Sequence, residues 1–144
     1  MFPPGYLAAR KGCRVTPSAG WARVPIAFTV DHARREVHTV ASGRVSYAEI
    51  EGHLSKLRDA GALSYREFFD GRAGQVEFAA ADTPRIVELM RKLTKEGPVG
   101  PKAVLASEGY TFGVSRMIEM LAAEFCEIKI FRNEHEARAW LAAK

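Results

Sequence analysis

Apolar positions along this 144-residue chain switch between a period of two and a period of 3.6. Each switch marks the change from a strand to a helix. The clearest unit is 101–125 (PKAVLASEGYTFGVSRMIEMLAAEF). Its run 103–106 (AVLA) is continuously apolar and follows Gly100 and Pro101, which suits a strand covered on both faces of a parallel sheet. Ser107, Glu108 and Gly109 then break the run. Ser107 is expected to cap the next helix, and Glu108 to complement the positive end of its dipole. In that helix Val114, Met117, Ile118, Leu121 and Phe125 form one apolar stripe, with Arg116, Glu119 and Glu124 off it.

Upstream, Ile26–Asp31 (IAFTVD) alternates, with Ile26, Phe28 and Val30 on one face. A polar turn at 31–35 leads to a second β-rich run at 36–41 (EVHTVA), so the two predict an antiparallel hairpin. Ser46 and Glu49 make a capping box, in which each side chain satisfies the other's free backbone N–H. Tyr47, Ile50, Leu54 and Leu57 continue at helical spacing, and Gly61 stands where a left-handed C-terminal cap belongs, giving a helix over 47–60. A third strand is predicted at 63–70 (LSYREFFD). The connection 71–82 (GRAGQVEFAAAD) is long, with a short extended piece at 75–78, and loops of this length are often functional. Thr83 at the cap and Pro84 in the first turn open a second helix striped by Ile86, Leu89, Met90 and Leu93. A last strand at 126–131 (CEIKIF) precedes a second capping box, Asn133 to Glu136, and a helix that offers Ala137, Trp140 and Leu141 to the core.

The predicted order is β-β-α-β-α-β-α-β-α. It describes an α/β domain with a mixed five-stranded sheet: an N-terminal antiparallel hairpin, then parallel βα units with right-handed crossovers. A chain of this length makes one domain that buries roughly two thirds of its unfolded surface. The net charge of +4 does not point to nucleic acid. Residues 1–23 hold Arg10, Lys11, Arg14 and Arg23 and no acid. Taking those four from the 21 basic residues leaves 17, equal to the 17 acidic ones. Residues 1–23 therefore read as a flexible basic tail, docked if at all through Trp21, and 24–144 as a neutral domain. A natural start near Val24 is a further expectation. No apolar run approaches the ~20 residues of a membrane span. Cys13 and Cys126 lack metal-ligand spacing, which suits a reduced cytoplasmic setting with Cys126 as a small buried hydrophobe.

The candidate chemistry is sparse. In open α/β sheets ligands favour the crevice beyond the carboxyl ends of the strands. Asp70, Arg72, Ser107, Glu108, Tyr110 and Thr111 are expected to gather there. Asp70 with Arg72 also reads as a structural ion pair, and Glu108 already puts negative charge where an anion would sit. His32, His38, His53 and His135 share no spacing that makes a metal set, and His135 is expected to face solvent. No catalytic constellation can be proposed from spacing, so no enzyme activity and no cofactor is expected. Arg91, Lys92 and Lys95 read as a solvated helix face.

The hairpin phrase Asp31-His32-Ala33-Arg34-Arg35, the strand phrase Tyr65-Arg66-Glu67-Phe68-Phe69-Asp70, and 110–117 followed by Phe131-Arg132-Asn133 carry a resemblance over about 24–141. The chain resembles the SpoIIAA-like superfamily, which includes STAS domains and CRAL-TRIO lipid-transfer domains, and within it small bacterial STAS-like proteins. That likeness implies a SpoIIAA-like fold. STAS antagonists carry a phosphorylatable Ser or Thr in an Asp-Ser-Ser-Gly-like turn between the third strand and second helix. Here the 71–82 connection replaces that turn, and Thr83 is the nearest hydroxyl at a helix start, with helix capping as its ordinary role.

Two uses follow from the resemblance. One is a non-enzymatic binding or regulatory module that works through a protein partner or self-association; it expects an exposed apolar patch beside a helix or edge strand. The other is a small-molecule or lipid-binding carrier related to CRAL-TRIO domains. It expects a closed apolar cavity of roughly 300 Å³ or more, lined by some of Phe68, Phe69, Phe112, Phe125 and Trp140, which otherwise fill the core.

Overall fold

The computed structural model describes residues 24–144; the tail expectations, Cys13 among them, lie outside it. Five strands form one sheet: β1 (Ile26–Asp31), β2 (Glu36–Val45), β3 (Arg66–Val76), β4 (Lys102–Ala106) and β5 (Ile128–Phe131). Their order in the sheet is their order in the chain, β1-β2-β3-β4-β5. β1 and β2 are antiparallel, and every later pair is parallel. The helices are α1 (Tyr47–Asp59), α2 (Thr83–Leu93), α3 (Tyr110–Ala122) and α4 (Glu134–Ala142). The fold class is the one the periodicity predicts.

The positions of the helices follow from chirality. Each of α1, α2 and α3 links a strand to its parallel neighbour in the same direction, so right-handed crossovers place all three on one face. The larger core lies under them, with Phe28, Val37, Leu54, Leu57, Ile86, Met90, Val114 and Ile130. The other face is left to α4, whose Ala137, Trp140 and Leu141 pack on Phe68, Ala103, Leu105 and Phe131.

Local signals set most boundaries. Ser46 accepts from the Glu49 backbone at 3.2 Å while Glu49 accepts from the Ser46 backbone at 2.7 Å, completing the capping box. At α4 one half of the box forms, the Asn133 side chain accepting from the Glu136 N–H at 2.9 Å, and His135 is exposed.

Three expectations are corrected. The segment 71–76 is strand, because β2 runs on to Val45 and β3 to Val76 beyond a bulge between Val40 and Ser42. Its glycines mark close backbone approach rather than a turn. A Cβ at Gly71 would stand 3.0 Å from the Leu105 carbonyl oxygen, and one at Gly74 would stand 3.3 Å from the Ala41 backbone. Second, Thr83 is no cap. A short 3₁₀ turn at Ala80–Asp82 precedes α2, and the fully buried Thr83 hydroxyl has no hydrogen-bond partner in the protein. Third, Ser107 does not cap α3. Its hydroxyl donates to the Gly74 carbonyl at 2.9 Å, and Gly109 occupies the cap position at φ +78°.

The stripe of α3 is also rotated from the expected one. Val114, Ile118 and Phe125 turn inward, joined by Ala122, whereas Met117 and Leu121 are exposed. Thr111 explains the rotation. Its hydroxyl accepts from the Val76 N–H at 3.0 Å, which seats the small polar side of the helix against the end of β3.

Candidate functional site

The residues expected at the carboxyl edge of the sheet divide into two groups there. Asp70 pairs with Arg72 at 2.8 Å, and the same guanidinium reaches Glu134 of α4 at 2.9 Å. The hydrogen bond from Arg72 lowers the Asp70 carboxyl below its ordinary range, and Arg138 and Arg72 together lower that of Glu134. Ser107, Tyr110 and Thr111 instead tie the start of α3 and the turn before it to the end of β3 and the chain just beyond it. The Tyr110 hydroxyl donates to the Phe78 carbonyl at 2.8 Å. Glu108 accepts from Arg132 at 2.9 Å, and that guanidinium stacks on Phe112 at 3.9 Å. These bonds hold the edge together. Thr83, the candidate for phosphorylation, lies with its hydroxyl fully buried.

The most unusual chemistry sits elsewhere, in the middle of the sheet. Glu67 of β3 is 1% exposed and points toward the three-helix layer. Its register partner on β4 is Lys102, which donates to Oε1 at 2.7 Å. Oε2 accepts from the Thr39 hydroxyl of β2 at 2.5 Å and from His53 Nε2 of α1 at 2.7 Å. Three strands and one helix thus converge on a single carboxylate. Burial alone would raise the Glu67 carboxyl. The charge of Lys102, with the hydrogen bonds from His53 and Lys102, outweighs it and holds it far below the carboxylate range.

The sign of the pH dependence follows. The unfolded carboxyl titrates near the ordinary value of 4.5, and the folded one well below it. The stabilisation is therefore complete above that pH and is lost as the pH falls through it, by about 1.4 kcal/mol per pH unit. Urea unfolding from about pH 6 to about pH 3 should show this limb. Because Asp70 shifts the same way, the contribution of Glu67 is the difference between the parent and Glu67→Gln. Parallel slopes for the two proteins would show that Glu67 is not held ionised.

Beside the cluster lies a cavity of about 130 Å³ between the sheet and α1, α2 and α3. His53, Glu67 and Lys102 line part of it. The rest is mostly apolar, including Ile50, Leu54, Phe69, Val104 and Ile118, with Thr111 and Ser115 on the α3 side. Phe69 and Val104 stand on inner strands yet are only half-buried. The volume falls short of the ~300 Å³ at which ligand pockets usually begin. Among the aromatics expected to line a cavity, only Phe69 does so; Phe68 and Trp140 belong to the core under α4, and Phe112 and Phe125 pack against the larger core.

Sequence reasoning missed this cluster because its members are distant in the chain. One signal was present. Glu67 interrupts the apolar strand beside Phe68 and Phe69, and Lys102 opens the apolar run of β4, so two opposite charges occupy positions whose neighbours are core. Among the described residues no group of three or more His, Cys, Asp or Glu could hold a metal ion, and no helix is long and apolar enough to cross a membrane. Burial pushes the Cys126 thiol above its ordinary value.

No protein-family model matches the chain, and no curated protein matches it by sequence. Solved structures do match in fold. One is an uncharacterised protein of the DUF3478 family with a SpoIIAA-like fold from Shewanella loihica PV-4. It is 15% identical at a TM-score of 0.53, over 81% of this chain and 93% of the other. A second is the anti-sigma factor antagonist SpoIIAA in its unphosphorylated form. It is 16% identical at a TM-score of 0.50, over 82% of this chain and 98% of the other. The fold is SpoIIAA-like, as the resemblance in sequence implied.

Proposed function

We propose that this protein is a non-enzymatic binding module of the SpoIIAA-like type that acts through a protein contact on the outer face of α3. One observation carries the reading. The exposed large apolar side chains among the described residues are Tyr110, Met117, Met120 and Leu121, and all four belong to α3. Met117, Met120 and Leu121 stand at i, i+3 and i+4, one ridge on the helix surface. Met120 is 69% exposed. Apolar side chains scattered singly over a surface are ordinary, but several gathered on one helix mark an interaction site. The likeness to an anti-sigma factor antagonist adds support, since the role of that protein is defined against another protein. On this reading the module works in the cytoplasm, where the Cys126 thiol stays reduced.

A photocrosslinking residue at Met120, with a control at the exposed Ala139 of α4, tests the reading in the native cell. The expected result is a discrete protein adduct at position 120 and none at 139, abolished by Leu121→Glu. An adduct of twice the chain's mass would identify the partner as a second copy. The same adducts at both positions would overturn the reading.

A further inference from the structure

The Glu67 cluster is not saturated in hydrogen bonds, and its open valences belong to side chains that line the apolar cavity. An ionised carboxylate only accepts, so His53 Nε2 must carry the proton it gives to Glu67. In the neutral ring this makes Nδ1 a bare acceptor. Nδ1 has no partner in the protein, although His53 is only 5% exposed. The Lys102 ammonium has three protons, and Glu67 Oε1 takes one of them. Buried polar groups almost always find partners, and one that does not calls for a specific explanation.

The cavity supplies a place for such a partner. Its volume of about 130 Å³ is close to the ~150 Å³ of an apolar cavity known to hold benzene. Ile50, Leu54, Val104 and Ile118 provide walls for a small apolar body.

We propose that this cavity binds a small neutral molecule, a single ring or short branched chain bearing one hydroxyl, with the hydroxyl donating to His53 Nδ1. Charge selects the class. A carboxylate would place a second negative charge beside Glu67, and an ammonium would face Lys102. A plain hydrocarbon would leave Nδ1 without a partner. A hydroxyl gives a proton to Nδ1 and offers lone pairs to the remaining Lys102 protons. The site uses the inner side of α3, with Thr111, Ser115 and Ile118, so it is independent of the protein contact proposed for the outer side.

Phenol and benzene are the probes, since they share a ring and differ by the hydroxyl. The full chain, with ¹⁵N-labelled histidine, is titrated with each at about pH 8. Phenol is expected to bind about tenfold more tightly than benzene, the equivalent of one hydrogen bond. Phenol should also move the His53 Nδ1 resonance upfield from its bare-acceptor position, and benzene should not. Ile118→Phe, which fills the cavity from α3, should abolish the phenol shift; if that variant does not fold, the comparison of probes on the parent still decides. Equal affinities, no binding of either probe, or phenol binding without movement of Nδ1 would each overturn the proposal. The last result is also the one expected if an ordered water already occupies Nδ1.

Discussion

Replacing Lys102 by Met should destabilise the domain by about 3–5 kcal/mol, the cost of stranding a buried charge when its partner is removed. Met keeps an unbranched apolar stem of nearly the same length and removes the ammonium. Lys102 is 6% exposed and Glu67 1%, so water cannot take over the lost interaction. The outcome should contrast with the loss of an exposed pair such as Arg44 with Glu77, 3.0 Å apart on the surface, where about 0–1 kcal/mol is at stake. A second change separates charge from packing. Glu67→Gln added to Lys102→Met keeps an acceptor for Thr39 and His53 while removing the orphaned charge. The double variant should recover much of the loss, because a neutral replacement for a buried ion pair is often tolerated. Urea midpoints with an unchanged denaturant slope are the measurement. A cost for Lys102→Met below about 1 kcal/mol would mean that Lys102 does not hold Glu67 ionised.

Gly100→Ala should be comparably severe, at about 3 kcal/mol or more, through crowding rather than charge. A Cβ there would stand 2.1 Å from the Tyr65 carbonyl oxygen and 2.6 Å from that of Ser64. These are backbone atoms, so no side-chain rotation relieves the contact. Gly100 also donates its N–H to the Leu63 carbonyl at 2.9 Å, pinning the entry of β4 against the segment leading into β3. Any shift that accommodates a methyl group would disturb the register that sets Glu67 opposite Lys102. Gly113→Ala is the control. Gly113 lies within α3, and a Cβ there meets nothing within 4 Å, so the change should stabilise by about 0.5–1 kcal/mol through helix propensity. Thermal and urea unfolding of the two variants side by side would check both signs. A tolerated Gly100→Ala would show that the loops at 64–65 and 98–101 are not packed as closely as described.

What could be read in the sequence, and what could not, divides along physical lines. Features written by neighbours in the chain were legible: the alternation in β1, the Ser46–Glu49 capping box, and the residues of α4 that meet the sheet. Their causes lie within a few residues of one another. The extension of β3 was hidden because Gly71 and Gly74 are the same letters in a turn and at a close backbone approach, and only the presence of Leu105 and Ala41 distinguishes the two. The α3 stripe was misjudged for a similar reason. Met117 and Leu121 are as apolar as Val114 and Ile118, and the choice of inner face depends on the Thr111 bond to Val76. The charge cluster was the least legible part. Its members come from four separate elements, and each alone resembles an ordinary surface residue.

A sheet whose spatial order repeats its chain order also constrains how the protein is made. Each strand leaving the ribosome finds its neighbour already at the growing edge, so the domain can build outward from the β1–β2 hairpin without waiting for distant sequence. The addition of β4 is less free. Until β4 arrives, β3 presents Glu67 at an open edge, close to Thr39 and His53 but without its cation. The growing edge thus carries a charged side chain facing the future core, the kind of device that discourages foreign strands from adding there. β4 brings both the hydrogen-bonding edge and Lys102, so the strand that extends the sheet past β3 also removes the barrier to extending it.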